Sequence, residues 1–389
     1  MMPHLLAMLI EIITSVLTIS GIAYYLVAMM AGRSFAQSGR GATQGAALSV
    51  SILKPLKGLD PAMMEGLRSH CQQTFAGRYE IIFGVGSQDD PATRAVEQLK
   101  AEFPDRKIEL VICPERLGAN GKVSALMQML PTASHDILLV NDSDIRVSPR
   151  YLENVTDEFA RKSSRKVGLV TALYRGHPHK TLPSHLESLG IATDFQAGVL
   201  VSRWMERGLH FGLGSTLAIR REALAAIGGF GSLVDYLADD YELGARVHAA
   251  GYGVALAAEV VETNVPAYGW GEFIDHQLRW ARTVRDARPG GYIGLVATHG
   301  LAWGMLNVLV SGGSGLSIWL FSLVFFLRLA MAMSIGVGVL KDHEVLPDLW
   351  LLPLRDLIHL GVWWGGFAGN SVVWRDERFT LHRGRLSQP

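Results

Sequence analysis

The sequence predicts an α/β domain built on a mostly parallel sheet, flanked at both ends by apolar membrane segments. Three observations predict it. Short apolar runs alternate with helix-patterned stretches between about residues 47 and 290. The hydrophobic excess, 49% of 389 residues, is concentrated at the two ends. The apolar run Ile137–Val140 stops at Asp142 and Asp144, two carboxylates one residue apart where a buried strand would surface.

The first element is an anchor over residues 1–32. Leu5–Ala31 is broken only by Glu11 and is long enough to span a bilayer. No basic residue precedes it and no small-residue cleavage site follows, so it reads as retained rather than removed. Arg33 and Arg40 come next, and positive residues tend to stay cytoplasmic, which puts the following domain in the cytoplasm.

Within that domain "SVSIL" (49–53), "EIIFGVG" (80–86), "IELVI" (108–112) and "DILLV" (136–140) predict strands. Residues 61–73, 91–103 and 121–130 predict helices, with Pro61 and Pro91 near two of the starts. Continuous apolar strands alternating with helices imply a parallel sheet covered on both faces, with ligands beyond the strands' carboxyl ends.

From residue 293 to 375 the chain is apolar again, with candidate spans at 293–311, 315–340 and 349–373. Arg328 and Arg355 interrupt two of them. A charge at mid-membrane is costly, so each is expected to snorkel, pair or mark a span end. The basic tail, 376–389 with Arg375 just before it, favours a cytoplasmic end, whereas three full spans would put it outside. The Gly-rich stretch 293–311 is the one expected to lie in the interface or re-enter.

Composition excludes some functions. Basic and acidic residues balance at 36 each, so no strong field calls for nucleic acid. Cys71 and Cys113 are the only cysteines, which argues against a disulfide framework and fits a reducing compartment.

Chemistry gathers in acidic clusters. Asp142 and Asp144 in a turn can share a hard divalent cation, Mg²⁺ or Mn²⁺, that bridges to substrate phosphates. They can instead cap a helix starting near Pro149. In "GSQDDPAT", Asp89 or Asp90 can accept the imide N–H of a uracil or cap the helix at Pro91. In "LGANGKVSAL", Gly118 and Gly121 permit close backbone approach and Lys122 can meet a phosphate, although P-loop spacing is missing. In "DYLADDYELG", Asp239, Asp240 and Glu242 crowd one helix start, where the dipole favours acids. Three such clusters on one α/β domain suggest a metal, a base and a polar substrate. "FIDHQLRWARTVR" sets Arg279, Arg282 and Arg285 on one helical face beside Trp280. That face can neutralise a pyrophosphate or meet anionic lipid. The amphipathic stretch 185–215 reads either as a membrane-surface segment that admits a lipid headgroup or as a packed core helix.

Taken together, "KPLKGLDP" (54–61), "DDPA" (89–92), "NDSDIRV" (141–147), "FGLGSTLAIRR" (211–221), "ADDYELG" (238–244) and "HQLRWARTVR" (276–285) resemble glycosyltransferase family 21. That family holds ceramide glucosyltransferases and bacterial hopanoid-associated sugar transferases. The resemblance covers about 47–290 and implies a GT-A (Rossmann-like) catalytic domain, a UDP-sugar donor and a divalent cation. With Lys122 added from the residue reading above, it assigns Lys54, Pro55, Asp89, Asp90, Asp142, His276 and Gln277 to the donor, and Asp142 with Asp144 to the metal. It assigns Asp240 as general base, with Arg279 and Trp280 as the remaining catalytic positions. The family's last motif begins with Gln or Arg, and His276 stands there in this chain with Gln277 next to it. The implied protein is a multi-pass enzyme, of a bacterial inner membrane, with its catalytic domain in the cytoplasm. The implied acceptor is a lipid hydroxyl: ceramide with UDP-glucose first, a hopanoid polyol with UDP-N-acetylglucosamine second. A polysaccharide synthase and a non-catalytic nucleotide-sugar receptor are the rival classes. Oligomeric state is not legible.

Overall fold

The computed structural model describes residues 2–38, 48–58, 63–161, 163–374 and 377–387. Arg40, Pro61, the end of "KPLKGLDP" and Arg375 lie outside the described residues. The chain opens with α1 (Met2–Ser38). Then β1 (Val50–Pro55), α2 (Met63–Cys71), β2 (Tyr79–Val85), α3 (Pro91–Glu102), β3 (Ile108–Ile112), α4 (Gly121–Met129) and β4 (Ile137–Val140) alternate, close to the expected ranges. Beyond β4 helices still separate the strands, singly or in pairs. β5 (Ile145–Arg146), α5 (Tyr151–Thr156), β6 (Val167–His177), α6 (Leu182–Gly190), α7 (Gln196–Met205), β7 (Leu217–Arg220), α8 (Arg221–Ala226), α9 (Asp239–Ala249) and β8 (Gly253–Asn264) follow. Next come α10 (Trp270–Ala287), α11 (Pro289–Gly294), α12 (Gly300–Val310), α13 (Gly315–Ala332), α14 (Val345–Asp348) and α15 (Leu352–Gly365). The chain ends in β9 (Ser371–Trp374), β10 (Glu377–His382) and β11 (Arg385–Ser387).

These elements form two compact units. One takes residues 38–175, 205–264 and 379–389; the other takes 1–37, 176–204 and 265–378. Residues 176–204 and 265–290, expected with the sheet, thus cluster with the apolar helices.

The first unit holds an eight-stranded sheet in the order β3-β2-β1-β4-β7-β6-β8-β5. β1, β2, β3 and β4 pair in parallel, as their unbroken apolar runs predict. β7 is antiparallel to β4 and to β6, and β5 is antiparallel to β8. The sheet is therefore mixed, not mostly parallel: helices still separate its later strands, but β5 and β7 pair antiparallel to their neighbours. β1 is flanked by β2 and β4, so the strand order reverses at β1. Ligands of such sheets bind beyond the carboxyl ends at that reversal, and Asp142 follows β4 there.

In the second unit, Leu5–Ser38 and Gly315–Val339 are long and apolar enough to cross a membrane. The stretch 289–310 is a helix pair bent by 55°. The third expected span, 349–373, is not one helix. Pro353 sits in the first turn of the 14-residue α15, and β9 begins at Ser371. α1 touches α12 through glycine: a Cβ on Gly21 would fall 2.1 Å from the Gly300 Cα. Small residues allow such close approach between apolar helices. Asn307 donates to the Glu11 carbonyl (3.1 Å) and to Thr14 Oγ1 (2.9 Å), so α12 runs antiparallel to α1. Ile335 packs at Gly32 and Arg328 lies over the Tyr25 ring, so α13 runs parallel to α1.

Arg328 and Arg355 pair rather than snorkel. Arg328, 1% exposed, donates to both Asp356 oxygens (2.9 and 2.9 Å) and to Asp194 (2.7 Å). Arg355 donates to the Leu186 carbonyl. Leu186, Leu189 and Leu200 are buried, so 182–205 is a packed helical stretch, with Trp204 and Met205 left exposed at its end.

The sheet unit buries one carboxylate at its edge. Glu80 accepts from Ser51 Oγ (2.6 Å), the Ser134 N–H (2.6 Å) and Lys107. Burial raises its pKa, but these partners outweigh burial and hold the carboxyl down at about 2. A depressed carboxylate stabilises the fold above its unfolded pKa and loses that contribution as pH falls through the folded value. Glu80→Gln is expected to cost about 2–3 kcal/mol near neutral pH. The gap between the two proteins should close between pH 4.5 and about 2. Thermal denaturation in detergent across that range measures it; a pH-independent gap would contradict the ion-pair origin.

Candidate active site

The carboxylates at the ends of β4 and α9 come together around one lysine. Lys122, in the first turn of α4, has a side chain only 8% exposed. Its Nζ lies 2.7 Å from Asp142 Oδ1 and 3.3 Å from Asp239 Oδ2. Burial lowers its pKa, but the two carboxylates overcome that and raise it, so the ammonium stays charged. The expected phosphate ligand is thus committed to carboxylates in this structure.

Asp142 has a second oxygen that faces Asp240. A Cβ placed on Gly214 would stand 3.1 Å from Asp142 Oδ2 and 3.2 Å from Asp240 Oδ2. Only a residue without a side chain leaves that gap open. The Gly214 N–H donates to Asp240 Oδ2 (2.7 Å), and the Tyr241 N–H donates to Asp240 Oδ1 (2.8 Å). Burial and the neighbouring Asp239 push the Asp240 carboxyl up to about 6, against the pull of Lys122. Asp144 is also raised, by burial and then by Asp142, while Thr263 Oγ1 donates to it. The D-x-D pair does not cap the following helix: α5 starts at Tyr151 without a side-chain cap.

A buried polar network fixes this arrangement from below. Asn141 is fully buried and donates to Tyr151 Oη (2.9 Å) and to the Ser215 carbonyl (2.6 Å). Those bonds tie the end of β4 to the loop carrying Gly214. Asn120 caps α4 at the Val123 N–H (3.1 Å) and reaches Asp239 Oδ1 (3.2 Å). Sequence reading missed Asn141, Asn120 and Thr263, and had no means of pairing Lys122 with Asp239.

Several expected donor residues hold the protein rather than face a ligand. Lys54 and Pro55 are buried in β1, and Lys54 Nζ donates to the Asp142 carbonyl (3.0 Å). Burial pulls that ammonium down to about 7. Asp90 caps α3 at the Ala92 N–H (2.9 Å) and also receives the Gly58 N–H (3.0 Å). Its turn is shaped by the backbone of the loop after β1. Asp89 is exposed.

The arginine–tryptophan motif lies on α10, in the other unit. Its three arginines do not act alike. Arg282 donates to the Ser371 and Ala368 carbonyls, and Arg285 donates to Gly366, Gly369 and Asn370, so both grip the turn after α15. That corrects the expectation of a shared anion-binding face. Arg279 makes no side-chain hydrogen bond or ion pair among the described residues; its charge feels Tyr268 and Glu187, and burial lowers its pKa. His276 Nδ1 sits 3.0 Å from the buried Glu187 carboxylate. It is therefore engaged by an acid rather than held ready for a phosphate. Gln277 is half-buried, and Trp280 packs edge-on against Phe195 (5.5 Å).

The donor set at the D-x-D is oxygen only: Asp142 Oδ2 at the open Gly214 gap, with Asp144 beside it. Hard divalent cations accept one or two carboxylates and complete their shell with water and phosphate. Among the described residues no three His, Cys, Asp or Glu side chains form a metal group. The residues fit a cation shared with a diphosphate rather than a protein-only cage.

The mixed sheet, with acids at its strand-order reversal, is that of the GT-A fold of glycosyltransferases. The profile of Glycosyl transferase family 21 matches residues 13–387, and the chain belongs to that family. It is 24% identical over 350 residues to ceramide glucosyltransferase 3 of Caenorhabditis elegans, covering 82% of this chain and 73% of that one. It is 25% identical over 206 residues to a beta-monoglucosyldiacylglycerol synthase of Trichormus variabilis, covering 53% of this chain and 42% of the relative. A mannosyltransferase of Pyrobaculum calidifontis, solved with GDP-Man and Mn²⁺, superposes with a TM-score of 0.54 at 18% identity, covering 92% of this chain and 99% of that one.

Replacing Lys122 by Met strands Asp142 and Asp239 without their cation. Lys122→Met should destabilise the protein by about 1–3 kcal/mol, since Asp142 is partly solvated. Lys122→Arg should recover part of the loss. Chemical denaturation of the three proteins tests this; an unchanged midpoint for Lys122→Met would refute it.

Proposed function

We propose that this chain transfers glucose from UDP-glucose to the hydroxyl of a membrane lipid, ceramide first, with inversion at the anomeric carbon. Family membership and the match to a ceramide glucosyltransferase over 82% of the chain carry this reading. The acid cluster supplies groups suited to it. Asp240, raised to about 6 by burial and Asp239, takes the proton of the acceptor hydroxyl as its oxygen attacks the anomeric carbon. The bond from that carbon to the β-phosphate oxygen breaks, and UDP leaves with the electron pair. Asp142 and Asp144 would hold a divalent cation, which supplies charge stabilisation to the diphosphate. Arg279, charged and without a hydrogen-bonded side-chain partner among the described residues, is assigned to the leaving diphosphate by its motif. Gly214 keeps the gap between Asp142 and Asp240 free of side-chain atoms.

The same reading includes a multi-pass topology. Residues 38–175, 205–264 and 379–389 belong to one compact unit and so share one side of the membrane. The stretch 265–378 then crosses an even number of times. The antiparallel pair α12 and α13 serves as the outward and return crossing. α14 and α15 stay on the catalytic side. Their exposed stripe Leu346, Trp350, Leu354, Leu357 and Trp364 faces lipid, while Asp348, Arg355 and Asp356 are buried on the opposite face. α1 is the third crossing, and Arg33 at its end keeps the catalytic unit cytoplasmic.

Asp240→Asn should reduce transfer from UDP-[¹⁴C]glucose to ceramide by at least about 10³-fold while leaving UDP-glucose affinity within a few-fold. Parallel assays with diacylglycerol and with a hopanoid polyol plus UDP-N-acetylglucosamine test the acceptor; an organic-soluble product from either in place of ceramide would reassign it. For topology, a reporter fused after Ser387 should be active on the same side as one inserted at Arg161, and opposite to one fused before α1. A tail found opposite Arg161 would overturn the arrangement.

A further inference from the structure

A second polar cluster lies among the apolar helices. Arg328 and Arg355 are buried there with Asp194 and Asp356, so two positive charges meet two negative ones. Asp356 is satisfied by its two bonds from Arg328. Asp194 is not. Its Oδ1 accepts from Arg328 (2.7 Å), but Oδ2 is buried without a hydrogen-bond partner. Two donors flank that oxygen just beyond bonding distance: Arg355 Nη2 at 3.6 Å and His359 Nδ1 at 3.8 Å. Arg355 Nη1 is also buried and unbonded, on a side chain 4% exposed. His299, ring to ring 4.7 Å from His359, leaves Nε2 unbonded as well.

Unmet buried donors and acceptors of this kind cost free energy unless a water or ligand completes them. Both separations are ion-pair distances, too short for an atom to stand between the partners, and neither gives Oδ2 a hydrogen bond. Asp194 projects from a single π-helical turn, Ile191–Phe195, a distortion that recurs at functional sites. The next residue, Phe195, packs against Trp280 of the transferase motif. Asp194 and His359 keep 17% and 28% of their side-chain surface, so the cluster opens at one edge.

We propose that Asp194, Arg355 and His359 form a binding site for the polar head of the lipid acceptor, reading a hydroxyl or amide other than the hydroxyl that is glycosylated. This rests on the reading of the chain as a lipid glycosyltransferase. The charges already balance, so an anionic head would bring an uncompensated charge into an apolar setting, and a neutral lipid fits better. Asp194 Oδ2 needs a donor and Arg355 Nη1 needs an acceptor. An N-acylated amino-alcohol lipid such as ceramide offers an N–H, a second hydroxyl and a carbonyl. Diacylglycerol offers carbonyls but, apart from its reacting hydroxyl, no donor. The site therefore selects neutral lipids with a second donor.

The test is equilibrium binding of fluorescent ceramide and fluorescent diacylglycerol to the purified full chain in detergent, independent of transfer. The wild type is expected to prefer ceramide. His359→Asn and Asp194→Asn are expected to weaken ceramide binding about ten-fold or more and leave diacylglycerol binding unchanged, with UDP-glucose binding intact. Because Asp194→Asn also loosens Arg328, His359→Asn with an unchanged melting temperature is the deciding variant. Equal affinity of the wild type for both lipids, or unaltered ceramide binding by folded His359→Asn, would overturn the site and leave water as its occupant. Ceramide binding that depends on His359 without any transfer of glucose would instead refute the proposed reaction and keep the site.

Discussion

Carboxylates can be gathered at a strand end only if something positive is buried with them. Lys122 fills that need, held between Asp142 and Asp239 with its charge also felt by Asp240. The contact joins the end of β4, the first turn of α4 and the start of α9. It also sets the two faces of Asp142: one oxygen turned to the lysine, the other to the Gly214 gap. A cation brought in by a diphosphate would meet a site whose charge is partly balanced already.

Much of this was legible in the chain. The strand ends and the D-x-D pair are local signals: apolar runs terminated by charge, each a few residues long. The helix starts at Pro91 and Gly121 were equally local, and Asp90 and Asn120 cap them. What escaped is non-local. Asn141 reaches a carbonyl 74 residues away, and Asn120 reaches Asp239 over 119 residues. No periodicity encodes such pairings. Residue type alone also misled: Lys54 looks like a donor ligand in its motif but is buried in β1, and Arg282 and Arg285 look like Arg279 yet bind carbonyls.

The membrane segments illustrate a different limit. Hydropathy found the apolar stretches, but α15, apolar as well, is too short to count among the helices that could cross a membrane. Its charged residues Arg355 and Asp356 face inward while Leu354, Leu357 and Trp364 face outward, the reverse of a surface helix in water. Arg328 and Arg355, which interrupted the apolar pattern, turned out to have partners on three other elements. Their cost in an apolar setting is what makes the unfilled positions around Asp194 informative.

The hairpin of β10 and β11 bears on how the protein is made. Its Gly384 carbonyl accepts from the Leu237 N–H, and its Leu386 N–H donates to the Asp235 carbonyl, just ahead of Asp239 and Asp240. The stretch that presents the acids is thus completed by residues that follow the apolar helices in the chain. A nascent chain on the ribosome cannot close its catalytic unit until the apolar helices have been synthesised, so assembly of the acid cluster follows insertion into the bilayer rather than preceding it.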